Sequence, residues 1–424
     1  MSLPIVGFAG MTHLGLVSGV SPSEKGFSLV CFDPNTDLIA ALNKGVLPVS
    51  EPQLNELVAK NASRLRFTSE SIDLKSCDVI YVAPDVATDD QGQSDLHAIN
   101  SLLDVVFDSA RDDAVIVVLS QVPPGYTRSK QRTGRILYYQ VETLIFGRAV
   151  ERALFPERYI VGCADPTQAL PEAFDTFLKA HGCPILPMRY ESAELAKISI
   201  NMCLVASVST ANTLAELCEK IGADWSEIVP ALKLDRRIGP YSYLAPGLGI
   251  AGGNLERDLA TVCNFADQYG TDAGVVRAWI QNSHHRKNWA ASKLREKLLN
   301  WKKNVVVAVW GLAYKENTNS IKNSPSLVAI SQLQDVRLKV YDPVVNWNPA
   351  WHPNAEAVTA PLDALAGADA LMIMTPWAEF KGYELIEICN GMVGNIVIDP
   401  YGMLSQENTK AIEIITLGKM NTTP

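Results

Sequence analysis

The sequence predicts an α/β protein: two doubly wound, Rossmann-like domains joined by a long central helix and a helical middle domain. Three observations predict it. The chain opens with an apolar run that closes on a glycine turn; the same pattern returns near Val305; and Ser192 to Ile221, between them, contains neither proline nor glycine. A short buried strand feeding a turn and a helix is the unit from which parallel sheets are built. The boundaries expected on this basis are residues 1–190, 191–300 and 301–424.

In chain order, PIVGFAG (Pro4 to Gly10) is the first strand and MTHLGL its turn and helix start. FSLVCFD is the second strand and ends in Asp33. An acidic residue about 20 positions after the turn accepts both ribose hydroxyls of an adenosine and repels a 2′-phosphate, which predicts NAD rather than NADP. Aligned on GxGxxG, the turn places Gly10, Thr12 and Gly15, with His13 and Leu14 between them. Thr12 stands where close backbone approach to a pyrophosphate prefers glycine. Taken alone, the motif also fits any strand-to-helix turn. DVIYVAP and AVIVVLS continue a parallel sheet, and ERYIVGC adds a strand near position 160.

Ser192 to Ile221 is long enough for one extended helix, and Ala260 to Leu299 reads as a second helical region. NVVVAVWGLAYKE then repeats the strand and glycine turn, RLKVYDP ends in Asp342, and ALMIMTPW and NIVIDP add two strands. GLAYKENT lacks the spacing for a dinucleotide pyrophosphate, so this domain holds a different nucleotide or none. Lys419 to Pro424 reads as a frayed end.

Composition narrows the function. The chain has 424 residues, 47% of them hydrophobic, and a net charge of −9 from 37 Lys and Arg against 46 Asp and Glu. That balance excludes a general nucleic-acid binder, which needs a basic face, and leaves room for a local basic pocket. The eight cysteines form no CxxC pair and no cluster at metal spacing, so no metal is expected and the thiols read as reduced and mostly buried. No apolar run reaches the roughly 20 residues that span a bilayer, and no signal peptide opens the chain. The expectation is a cytoplasmic protein without a membrane partner.

Over nearly the whole length, from Ile5 to about Ile415, the motifs resemble those of the UDP-glucose/GDP-mannose dehydrogenase family, in the same order. LNKGVLPVSEPQLNEL (with Asn43, Gly45, Pro48, Glu51 and Pro52), RLRFTSE at Arg64 to Glu70, DDQGQSDL at Asp89 to Leu96 and SQVPPGYT at Ser120 to Thr127 carry it in the first domain. Glu194, Lys197, Asn201 and Asn212 carry it in the central helix, DRRIG at Asp235 to Gly239 beyond it, and GLAYKENTNSIKNSP, with Lys315, Thr318, Ser324 and Pro325, in the last domain. The departures cluster at the expected chemistry. Asn254, in GLGIAGGNLERDL, stands where the family keeps a cysteine nucleophile, and Arg257 replaces a lysine beside Asp258. Gln121 replaces a threonine, and NPEFLREG becomes QVETLIFG, keeping Glu142, Leu144 and Gly147. Ser320 and Lys322 replace an aspartate and an arginine, and Tyr401 replaces an arginine.

The resemblance implies oxidation of a nucleotide-sugar hydroxyl with NAD in polysaccharide or related biosynthesis, and a homodimer pairing through the central helix. Lys197 and Asn201, one helical turn apart, share a face and suit polarising a substrate oxygen or water. Glu142 is the implied general acid or base, against a solvated surface glutamate. Asp258 orients a water or Lys197, against a helix-start carboxylate. Arg237 holds an anionic or hydroxyl-rich part of the substrate, against an ordinary surface ion pair. Gly249, Gly252 and Gly253, with Gly247, fit a loop close to a ligand, against a flexible turn; Lys315 reaches a phosphate or ribose, against a solvated lysine. Ser120, Gln121 and Lys322 join the turn residues and Asp33 as cofactor contacts. His13 touches cofactor or lies on the helix surface. Cys203 and Cys263 read as buried structural thiols. A thiolate adds to an aldehyde, whereas a carboxamide nitrogen is delocalised into its carbonyl and does not. Asn254 therefore implies a two-electron or otherwise altered reaction. The other reading is a catalytically silent member that binds NAD or a nucleotide as a partner or regulator.

Overall fold

The computed structural model describes residues 3–89, 93–404 and 412–420. Cα packing divides the chain into two compact units, residues 1–200 and 201–424. The first is built on an eight-stranded sheet with β1 (Val6–Ala9), β2 (Leu29–Phe32), β3 (Leu65–Thr68), β4 (Val79–Val82), β5 (Val115–Val118), β6 (Ile136–Gln140), β7 (Tyr159–Cys163) and β8 (Ile185–Arg189). Its order is β3-β2-β1-β4-β5-β6-β7-β8. The doubly wound expectation holds.

β1 to β6 are parallel, with Val6 opposite both Leu29 and Val79, while β7 runs antiparallel to β6. A simple parallel sheet was the sequence expectation. A short apolar run buries the same side chains in either direction, so strand orientation leaves no mark in composition. Two cores cover the faces: Phe8, Tyr81, Phe174 and Phe177 on one, and Phe32, Ile80, Ile99 and Phe107 on the other.

The second unit holds a six-stranded parallel sheet of β9 (Val306–Trp310), β10 (Arg337–Tyr341), β11 (Ala355–Ala357), β12 (Ala370–Ile373), β13 (Ile396–Ile398) and β14 (Glu413–Ile415). Its order is β11-β10-β9-β12-β13-β14. The central helix is continuous over Tyr190–Ile221. The later helical region begins at Asn254, earlier than expected, with helices Asn254–Tyr269, Gly274–Lys287 and Trp289–Leu294.

One expectation fails on the central helix, which is long and apolar enough to cross a membrane by length and composition, with a mean hydropathy of 1.3 over an 18-residue window. Scattered Ser, Thr and Asn interrupt its apolar run without lowering the average enough. Its polar groups are nevertheless held by protein: Glu194 accepts the Gly125 and Thr127 amides at 2.6 and 2.8 Å, and Asn201 donates to Asp258. Only 39% of the apolar window is buried.

The expected fray is shorter than Lys419 to Pro424. Lys419 pairs with Asp224 at 3.1 Å, and Gly418 accepts the Trp225 amide; residues 421–424 lie outside the described residues. Of the loop Asp89 to Leu96, residues 90–92 lie outside them too.

Candidate active site

In an open α/β sheet, ligands bind beyond the carboxyl ends of the strands. At that edge of the first sheet, β1 leads to Gly10, β2 to Asp33, β4 to Asp85, β5 to Ser120 and β6 to Glu142. Gly10 has φ +95, and Gly15 opens the helix His13–Val20 so close to the strand that a Cβ there would sit 1.7 Å from the Gly10 carbonyl oxygen. Only glycine lets the helix start this near the sheet. Asp33 accepts the Met11 amide at 2.7 Å and the Asn35 amide at 2.9 Å.

His13 departs from the surface reading. Its ring is buried, donates or accepts at 2.9 Å with Glu51 according to tautomer, and stacks on Phe146 at 4.1 Å. Glu51 also accepts the Gly147 amide at 2.9 Å, so it ties the turn to the segment after β6. Leu14 is buried. Ser120, expected at the cofactor, is fully buried, with its hydroxyl donating to the Pro84 carbonyl. Gln121 is half-buried.

Glu142 and Lys197 meet. Their ion pair spans 2.7 Å, Lys197 Nζ also donates to the Glu142 carbonyl at 3.2 Å, and the other carboxylate oxygen accepts the Leu144 amide at 2.9 Å. Side-chain exposures of 13% and 18% make this a shielded pair rather than a solvated glutamate. Nearby, burial pushes the Glu194 carboxyl above its usual range, although two backbone amides oppose that shift.

In the second unit, Asn201 donates to Asp258, whose other oxygen meets Arg257 Nε at 3.3 Å; all three are buried. Asp258 thus orients an amide. Asn254 is exposed and begins the helix Asn254–Tyr269 behind Gly253. Cys263 is buried, and burial raises its thiol pKa. Cys203 is exposed, against expectation, because two helical steps carry it to the face away from Asn201.

The glycine loop packs on protein. A Cβ at Gly252, φ +89, would lie 2.5 Å from the Tyr314 ring, and Gly249 and Gly253 face Ser283 and Lys322. The Gly252 amide donates to the Lys322 carbonyl at 3.0 Å. Lys315 lies 5.7 Å from the Tyr314 ring centroid. Arg237 is highly exposed and pairs with Asp235 at 2.6 Å.

Sequence reasoning gave Glu51 no role and did not single out Asp85 or Tyr314. Glu51 stood inside a matched motif and was the most findable. Asp85 follows a strand with no motif around it, and Tyr314 acts through packing.

These features define a dinucleotide-binding oxidoreductase carrying a second nucleotide-type sheet. Family profiles match the chain in three segments: the NAD-binding domain of the UDP-glucose/GDP-mannose dehydrogenase family matches residues 5–177, its central domain 191–284 and its UDP-binding domain 308–406. The UDP-glucose 6-dehydrogenase of Rickettsia typhi is 30% identical over 421 residues, covering 96% of each chain, and that of Bacillus subtilis is 29% identical, covering 95% of this chain and 90% of the relative. The solved UDP-glucose dehydrogenase of Pyrobaculum islandicum superposes with a TM-score of 0.83 at 24% identity, covering 99% of this chain and 98% of that one. The chain belongs to the UDP-glucose/GDP-mannose dehydrogenase family, and NAD is its cofactor. The Gly10–Gly15 cradle, which a Cβ would fill, and Asp33 at the end of β2 fit that cofactor.

Proposed function

We propose that the protein oxidises one hydroxyl of a nucleotide-linked sugar in a single two-electron step. The Lys197–Glu142 ion pair at the carboxyl edge of the first sheet carries this reading. NAD supplies the acceptor for the two electrons and the hydrogen that leave carbon. Lys197 stabilises the negative charge that grows on the substrate oxygen, and Glu142 takes the hydroxyl proton through water as the C–O bond becomes C=O. Asn201, one turn along the helix and oriented by Asp258, positions that oxygen or its water. Gly10, Thr12, Leu14, Gly15 and Asp33 hold the cofactor, with Gln121. Lys315 and the glycine loop hold the nucleotide sugar.

The reaction stops at the aldehyde or ketone because Asn254 offers no nucleophile to capture it. A homodimer belongs to the same reading: Leu195, Leu214, Leu217 and Ile221 are exposed along the central helix, and Arg237 stands beyond it for a partner's substrate.

The test follows NADH absorbance with UDP-, GDP- and TDP-sugars and identifies the product by mass spectrometry. One NADH per aldehyde or ketone is expected, with Asn254→Cys gaining acid formation. Two NADH per acid in the wild type would overturn the role given to Asn254. NAD binding without turnover on any sugar would favour the silent member.

A further inference from the structure

Asp85 lies just beyond β4, against the opening of the helix His13–Val20. Its Oδ2 accepts the His13 amide at 3.0 Å, and its own amide donates to Thr12 Oγ1 at 2.8 Å. The helix has no cap of its own: Thr12 occupies the N-cap without a capping hydrogen bond, and the first turn carries no acidic residue. A carboxylate from another strand end fills that place.

The position is built. Pro84, the residue before Asp85, is held on one side by the Ser120 hydroxyl and on the other by Gly10, where a Cβ would come within 2.9 Å of the Pro84 nitrogen. Asp85 itself is exposed, so its side chain can turn into solvent while its backbone stays in place.

A dinucleotide's diphosphate is recognised by amides at this same helix start. Two anions cannot share the His13 amide, and their charges repel at this range. We propose that Asp85 is a resident competitor for the cofactor diphosphate, displaced whenever NAD binds, and that it thereby sets cofactor affinity. Thr12, where glycine would allow the closest approach, strengthens the competition because its hydroxyl is engaged by the Asp85 amide. The inference rests on NAD binding at the first sheet, which family membership supplies.

The test measures dissociation constants by calorimetry for NAD, ADP-ribose and adenosine, on the full chain and on Asp85→Asn and Asp85→Ala. Both variants are expected to bind NAD and ADP-ribose about fivefold tighter, the scale of one removed anion at a helix start. Adenosine, which has no phosphate, keeps its wild-type affinity. Asp85→Asn retains an acceptor for the His13 amide, so it remains informative if Asp85→Ala unfolds. Unchanged or weaker ADP-ribose binding in a folded Asp85→Asn variant would overturn the proposal, as would an equal gain for adenosine. If ADP-ribose bound neither wild type nor variant, the proposal would fall together with the cofactor's place at this turn.

Discussion

The two sheets share a plan and part company at one turn. Each has its first strand in the middle, a positive-φ glycine after it (Gly10 and Gly311), and an aspartate ending the next strand (Asp33 and Asp342). Each aspartate accepts an amide just past its glycine, Met11 in the first sheet and Leu312 and Ala313 in the second. In the first sheet the helix starts at once, at His13, and its amides face the sheet's carboxyl edge. In the second the helix waits until Pro325, where Ser324 caps it. The intervening loop packs Tyr314 and Lys322 onto the glycine loop instead. A duplicated architecture thus keeps its folding contacts in both copies and its diphosphate cradle in one.

If chemistry belongs to the first sheet, Lys197→Met should lower kcat roughly a thousandfold while leaving NAD affinity unchanged. Lys315→Met should act mainly on the KM of the nucleotide sugar. Steady-state kinetics with the sugar found active distinguishes them, and a kcat collapse in both would break the division. Gly15→Ala should cost about 3 kcal/mol or more, since a methyl cannot share space with the Gly10 carbonyl, and should abolish NAD binding. Urea unfolding and a cofactor titration measure the two effects.

The first unit should respond to acid through a buried histidine. His181 packs against Tyr159 and Phe177 in the first unit, where burial lowers its pKa from 6.5 to about 4. Between those values an unfolded chain binds the proton and the folded one does not. Stability present above pH 6.5 is therefore lost as pH falls toward 4, on the order of 3 kcal/mol in all. Unfolding midpoints at pH 7 and pH 5 should show the loss, and His181→Phe should flatten it. An unaltered slope in the variant would place the acid sensitivity elsewhere.

What was legible in the sequence follows burial. β1, β2, β4, β5, β9, β10, β12 and β13 are apolar runs closed by Gly, Asp, Pro or Ser, and all were read. The edge strands β3, β8, β11 and β14 were not called strands, because an edge buries less and its composition is mixed. β6 lies inside its sheet yet escaped too, since Gln140 is buried there by accepting the Tyr81 hydroxyl, which masks the apolar signal. At the candidate site, helix spacing pointed to Lys197 and Asn201, and the family resemblance to Glu142 and Asp258. Their partners were not legible: four residues of helix spacing put Lys197 and Asn201 on one face, but only the fold shows Glu142 on the first and Asp258 on the second.

The two aspartates offer the finest comparison. A carboxylate has about four acceptor sites. Asp342 meets Leu312, Ala313 and the Trp377 indole on one oxygen, and Val344 and Val345 on the other. It has no capacity left for a ligand. Asp33, among the described residues, receives Met11 and Asn35, one on each oxygen, and keeps acceptor sites for two ribose hydroxyls. Asp342→Asn should therefore cost about 2 kcal/mol, because the new amide turns a donor toward backbone donors, and should leave NAD affinity as it was. Asp33→Asn should cost less than about 1 kcal/mol in stability and weaken NAD about tenfold, the scale of a lost charge-assisted hydrogen bond. Thermal melts and NAD titrations on the pair decide it: equal losses of cofactor affinity would mean that the second turn supports the first, and that the saturated carboxylate is no mark of a turn retired from ligand binding.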